Sequence, residues 1–383
     1  MAKKRRQLLI LLLVLAVLVV LLLAGMAWSQ YQASQEAAAE AEASPAIETV
    51  TDPVTLTYSN GEHTLSFAYD EEADAWYYQD DPDFLLDDGT VTSILSELES
   101  LTAVRAFALE EELDAYGLAD SASYLTVTDA DGNSATLRFG IASGEEYFAC
   151  LDGQEDTVYT VESTLYDEIQ TTLYDQADST APIPTLTESI LSALDISGAQ
   201  ETSITVKAVE VEVEDEEEEA DAEESSDDAE STDDAEADEP EYETVYYWYR
   251  GEQDITGQEL QEELLSELTG LDLGTLSDYS AEDSFLETRA DQLVATVRVT
   301  YSETDDEGET SDADFAIHLL EETTTGEDGT QSTQLYAVVE GYEGYLWTVD
   351  ADSVQWLRAV AQDGYEGAMA ALSAEAEAEE TEE

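Results

Sequence analysis

Hydrophobic and polar positions alternate with two different periods along this chain. Val54, Leu56 and Tyr58, then Leu65, Phe67 and Tyr69, recur at every second position on either side of Asn60-Gly61, the pattern of two strands joined by a tight turn. Trp76, Tyr77 and Tyr78 mark a third strand. The spacing changes at Val91, Ile94, Leu95, Leu98 and Leu101, which line one face of an amphipathic helix over residues 90–101. The strand period then resumes at residues 124–127 and 135–139 across Asp131-Gly132, and again at 147–151 and 158–161. A closing helix is predicted over 162–173.

The same order of elements returns further on. Residues 203–213 and 243–249 read as strands, the second carrying Tyr246, Tyr247 and Trp248 as a counterpart of Trp76–Tyr78. A helix follows over 257–271. Its Ser266-Glu267-Leu268 repeats Ser96-Glu97-Leu98 at an offset of 170 positions (266 − 96). Strands over 292–301, 314–320, 335–340 and 345–349 lead into a helix over 352–361, and Trp347-Thr348-Val349-Asp350 matches Tyr159-Thr160-Val161-Glu162 in type and place. This is the pattern of an internal duplication of a unit of about 120 residues, its boundary near Pro182 and Pro184.

The predicted fold class is α+β: one N-terminal transmembrane helix, then two tandem related units of antiparallel β-hairpins with amphipathic helices. In detail, the reading places a basic stub at 1–7, a membrane helix at 8–28, a spacer at 29–50 and a first unit at 51–178. A linker and the start of the second unit occupy 179–200. The second unit proper runs over 201–363 with an acidic disordered insertion at 210–241, and an acidic disordered tail closes the chain at 364–383. The insertion is expected to expand the hairpin loop equivalent to Asn60-Gly61, since long surface loops add little closure entropy.

The apolar stretch opens at Leu8 and closes at Trp28, uncharged throughout. About 20 such residues span a bilayer as a helix. Lys3, Lys4, Arg5 and Arg6 should stay cytoplasmic by the positive-inside rule, which places the rest of the chain outside the cell membrane as a single-pass protein. A cleaved signal peptide has a shorter apolar core, of about 7–15 residues. No cysteine follows the apolar run, which argues against a lipoprotein anchor.

Charge changes the picture further. The 383 residues include 93 Asp and Glu against 11 Lys and Arg, a formal net charge of -82. Such a polyanion repels nucleic acid and favours cations, basic proteins or plain solubility. The lone Cys150 cannot form an intramolecular disulfide, and it reads as a small buried hydrophobe.

The search for chemistry yields no catalytic, cofactor-binding or metal-binding residues. Gly140-Ile141-Ala142-Ser143-Gly144 has its serine one place too late for a nucleophile elbow, and reads as a turn between strands. His63 and His318 fall in strand-like stretches. Phosphate-cradling and dinucleotide-binding glycine patterns are absent from the sequence. Asp129, Asp131 and Asn133 around Gly132, and Asp305, Asp306 and Glu307 before Gly308, have their glycine too early for a calcium loop, so hairpin turns are expected. Divalent cations should bind only weakly, to the acidic segments at large.

The run AYGLADSASYLTVTDADGNSATLRFG from Ala115, followed by EEYFACLDGQEDTVYTVESTLYDEI, resembles the bacterial family known as domain of unknown function 4340. The likeness rests on a short basic start, a leucine-rich segment, a Trp-containing strand, the Tyr116-Gly117-Leu118 element and a closing strand and helix. In the second copy Ser277-Asp278-Tyr279 stands where Tyr-Gly-Leu is expected. The family has no established activity. Some members are similar to proteins encoded beside ATP-binding-cassette transporters, which implies an accessory role at a membrane complex.

The leading expectation is therefore a non-enzymatic, membrane-anchored, extracytoplasmic binding or scaffold protein, accessory to such a transporter. A carboxylate-based hydrolase of the cell envelope and an acidic cation-binding envelope protein are the alternatives.

Overall fold

A computed structural model describes residues 45–212, 242–305, 308–326 and 329–382. The chain divides into two compact units, Met1–Ala177 and Asp178–Glu383.

In the first unit the hairpins merge into one sheet. Strands β1 (Pro53–Asn60), β2 (Thr64–Asp70) and β3 (Ala75–Tyr78) form a meander, and helix α1 (Asp88–Glu99) crosses to β4 (Arg105–Ala108). Strands β5 (Ser123–Asp129), β6 (Ser134–Ser143), β7 (Glu146–Leu151) and β8 (Thr157–Glu162) then run to the short helix α2 (Thr164–Glu168). The order across the sheet is β3-β2-β1-β5-β6-β7-β8-β4, every pair antiparallel.

Register explains the core. Leu56 pairs with both Phe67 and Val127, Tyr58 with Leu65 and Leu125, and Leu125 with Leu137, so one face collects the apolar set. Val91, Ile94 and Leu98 of α1 and Leu165 and Ile169 near α2 bury against it. Each such side chain contributes about 1.5–3 kcal/mol on leaving water.

The second unit repeats this plan. Its strands are β9 (Leu191–Ser197), β10 (Glu201–Glu212), β11 (Tyr242–Arg250) and β12 (Gln253–Asp254). Helix α3 (Glu259–Thr269) leads to β13 (Leu276–Tyr279) and the one-turn helix α4 (Phe285–Thr288). Strands β14 (Leu293–Thr304), β15 (Thr310–Thr325), β16 (Gln331–Val339) and β17 (Tyr345–Val349) precede helix α5 (Gln355–Glu382), which is interrupted at Gly364. The sheet order is β12-β11-β10-β9-β14-β15-β16-β17-β13. With the two-residue β12 set aside, it superposes strand for strand on the order of the first unit.

Several expectations are corrected. The fold is mainly β, two large antiparallel sheets, rather than an α+β assembly of hairpins, because the hairpin edges pair with one another through β1 with β5 and β9 with β14. The helix expected over 162–173 shrinks to Thr164–Glu168, where Thr171 turns its hydroxyl onto the Glu168 carbonyl at 2.7 Å. The transmembrane helix expected at 8–28 lies outside the described residues. Among the described residues no helix is long and apolar enough to cross a membrane.

The second unit begins a strand earlier than expected. β9 is the counterpart of β1, so β10 and β11 correspond to β2 and β3. The acidic insertion thus opens at the loop equivalent to residues 71–74, not at Asn60-Gly61. Residues 210–212 of that segment belong to β10, and 213–241 lie outside the described residues. The segment 364–383, expected as a disordered tail, continues α5 as far as Glu382. Its first turns bury Tyr365, Ala368 and Leu372 at a helical spacing.

Candidate functional site

Tyr116-Gly117-Leu118, the most distinctive motif of the sequence, proves architectural. On the sheet face opposite α1, Leu118 buries with Cys150 and Val158, and Tyr116, Phe107 and Phe148 pack around them. The Tyr116 ring meets Phe148 edge-on with centroids 5.1 Å apart. Gly117 adopts φ 73°, and a Cβ there would lie 2.9 Å from the Ile141 backbone N, so both its angle and its close approach require glycine. In the second unit Ser277-Asp278-Tyr279 lies in β13, the counterpart of β4, and does not take this role. Phe285 does, packing with Leu320, Val338 and Leu346.

The residues weighed for chemistry sit in structural roles. Gly144, at φ 77°, turns β6 into β7, and Ser143 pairs with Glu146. Asp129 accepts the Asn133 backbone N–H at 2.8 Å and its Nδ2 at 2.7 Å, bonds that hold its carboxyl below its ordinary pKa. Asp305 likewise accepts the Glu309 N–H at 2.8 Å. No cluster of three or more His, Cys, Asp or Glu placed to hold a metal occurs among the described residues. His318 touches Thr296 Oγ1 through Nδ1 at 3.0 Å, and burial lowers its pKa. Burial pushes the Cys150 thiol up to about 11.

Glu267 is a buried carboxylate that sequence reasoning did not single out. Both oxygens are engaged, Oε1 by the Trp356 N–H at 2.7 Å and Oε2 by the Leu357 N–H at 2.8 Å. Burial raises its pKa to about 7, against these two bonds. It joins α3 to the first turn of α5.

Clefts occur in both units. In the first unit one of about 660 Å³ lies between residues 46–53 and the Thr92–Glu99 side of α1. In the second unit one of about 720 Å³ is lined by Gly198, Glu201, Leu293, Thr296, Glu321 and Arg358. The second contains an Arg358–Glu321 ion pair at 2.7 Å and a further carboxylate, Glu201.

The charge distribution is more informative. Every arginine of the described residues is committed to a carboxylate: Arg105 to Glu146, Arg138 to Asp152, Arg250 to Glu366, Arg289 to Glu322, Arg298 to Asp314 and Glu340, and Arg358 to Glu321. The remaining described cation, Lys207, lies 4.9 Å over the ring of Tyr249.

Lys207 marks the base of an arm formed by β10 and β11. Beyond Val206, which pairs with the fully buried Trp248, β10 is exposed on both faces, and β11 passes from the half-buried Val245–Tyr247 to the exposed Tyr242–Thr244. Val209 is 43% exposed, Val211 38% and Tyr242 61%, with the exposed Glu210, Glu212 and Glu243 interleaved. The cluster Tyr246–Tyr249 splits as strand alternation requires: Trp248 faces the core, where its Nε1 donates to Glu188 at 2.8 Å, and Tyr247 and Tyr249 face the other way.

Residues 76–246 match the family model of a domain of unknown function, DUF4340. The match runs from Trp76 in β3 to Tyr246 in β11, two equivalent strands, and so covers one repeat period of 170 positions (246 − 76). No curated protein and no solved structure matches the chain.

Proposed function

We propose, for a chain that belongs to the DUF4340 family, that it is a non-catalytic binding and scaffold module whose acidic surface receives a cationic protein partner at a membrane complex. The observation that carries this reading is the commitment of all six described arginines to the chain's own carboxylates. An anionic ligand finds no free guanidinium there, whereas a basic protein meets a surface far from neutral, which accelerates encounter by electrostatic steering. The engagement of both Glu267 oxygens by backbone N–H groups favours this reading over a carboxylate hydrolase.

Attachment to a membrane rests on sequence alone, on the apolar run from Leu8 behind Lys3–Arg6. The resemblance of some family members to proteins encoded beside ATP-binding-cassette transporters makes such a transporter the complex to test first.

The test is a crosslinking pull-down of the full-length protein from its native membrane, repeated at low and high salt. Transporter subunits with basic extracytoplasmic faces should be recovered at low salt and lost above ~0.5 M, where screening acts within a few ångströms. Recovery of no partner, or of partners indifferent to salt, would refute the proposal.

A further inference from the structure

We infer that the outer edge of β11, at Tyr242, Thr244 and Tyr246, docks an extended lysine- or arginine-rich segment of the partner by strand addition. This rests on the binding reading above and specifies its contact.

The direction of the backbone groups follows from two hydrogen bonds. The Trp248 N–H donates to Thr256 Oγ1 and its C=O accepts the Ile255 N–H, each at 2.9 Å, so both point away from β10. Along an antiparallel strand, alternate residues aim their N–H and C=O to the same side. Tyr246, Thr244 and Tyr242 therefore face outward with Trp248, while Tyr247, Val245 and Glu243 bond to Lys207, Val209 and Val211 of β10. The neighbouring strand β12 covers only Tyr249 and Arg250. Three N–H and three C=O groups thus form an open ladder with no adjacent strand among the described residues.

The equivalent strand of the first unit, β3, has four residues where β11 has nine, and offers no comparable edge. An exposed strand edge is a template for pairing, which proteins ordinarily blunt with charged side chains, proline or a bulge. Here the charge beside the edge is carboxylate throughout, which repels another acidic edge and complements a basic one. Glu210 and Glu212 share one face of the ribbon with Tyr242 and Thr244, Glu243 lies on the other, and no basic residue occurs between Lys207 and Arg250.

Charge selects the occupant. A second copy of this chain would bring like carboxylates together, which opposes pairing. A basic extended segment would gain main-chain hydrogen bonds and place alternate cations on the face shared by Glu210, Glu212, Tyr242 and Tyr246, where the two tyrosines offer ring faces.

The experiment uses the full-length protein in detergent and a fluorescent ten-residue peptide alternating Lys and Val, read by anisotropy at low salt. Thr244→Pro removes one outward N–H and spares the bonds to β10, and a peptide N-methylated at alternate residues loses its donors at unchanged charge. At least tenfold weaker binding is expected for each, and hydrogen exchange at Tyr242, Thr244 and Tyr246 should slow when the unmodified peptide binds. Equal binding of both peptides by wild type and variant, without added protection, would overturn strand addition while leaving charge-driven binding intact. Binding of neither peptide would overturn both readings. Edge-to-edge dimers abolished by Thr244→Pro would assign the edge to a second copy and refute the basic segment.

Discussion

The carboxylate of Glu267 in α3 accepts the backbone N–H of Trp356, 89 positions later, at 2.7 Å, and so ties two helices of the second unit across buried surface. Its pKa, ordinarily 4.5, rises to about 7 through burial. The folded unit therefore holds a proton that the unfolded chain has released between these values. Since the folded state binds the extra proton, this group's contribution to stability is fully present below pH 4.5, falls through the window and is lost above pH 7. The span is on the order of 3 kcal/mol. Self-repulsion of the polyanion also weakens the protein as pH rises, so the difference between wild type and Glu267→Gln is the informative quantity. Urea midpoints from pH 4.5 to 8 should show wild type losing its advantage over the variant as pH increases. Parallel curves would contradict the assignment.

The close approach of Tyr116 to Gly140 leads to a second expectation. A Cβ on Gly140 would fall on the Tyr116 carbonyl oxygen, a backbone atom that cannot step aside without displacing Gly117 and Leu118. Gly132 has nothing within 4 Å, and only its φ of 86° resists a side chain. Gly140→Ala should cost about 2–4 kcal/mol in urea unfolding and Gly132→Ala about 1 kcal/mol. Equal effects would mean that the Tyr-Gly-Leu element does not lie against β6 as described.

Burial of Cys150 beneath Leu118 carries a consequence for reactivity. With its pKa at about 11 and no exposure, the thiol should resist iodoacetamide at pH 8 and react once urea unfolds the first unit. Mass spectrometry of the alkylated protein reads the result directly. Rapid labelling under native conditions would show that the small core around Leu118 opens.

How much of this was legible in the sequence depended on whether the signal was local. The turn at Asn60-Gly61 was readable because its chemistry is self-contained: Asn60 Oδ1 accepts the N–H groups of Glu62 and His63 at 2.9 and 2.8 Å, and Gly61 adopts φ 92°. β9 was missed because its buried apolar positions, Leu191, Leu194 and Ile196, do not alternate strictly; Leu194 pairs with Ile204 across a short turn and with Val299 a hundred residues away. That omission displaced the acidic insertion onto the wrong loop. The helix carried by residues 364–382 was hidden because Gly364 and Gly367 read as breakers and the Ala/Glu-rich end has no apolar face, although Tyr365, Ala368 and Leu372 keep a helical spacing. The aromatic cluster at Tyr246–Tyr249 was visible, but the open edge beside it depends on β12 stopping after two residues, which no pattern in the cluster encodes.

Trp248 permits a final prediction, because its two contributions can be separated. The indole is completely buried opposite Val206, and its Nε1 donates to Glu188, a half-buried residue just before β9. Trp248→Phe removes both the hydrogen bond and part of the buried ring, and should cost about 1–3 kcal/mol. Glu188→Gln keeps an acceptor oxygen in place and should cost less than about 1 kcal/mol. Circular dichroism during urea unfolding measures both. If Glu188→Gln proved as damaging as Trp248→Phe, the charge of Glu188 rather than the packing of the indole would anchor the start of β9 to β11. If neither variant moved the midpoint, Trp248 would have to lie outside the core, and the base of the arm would be placed wrongly.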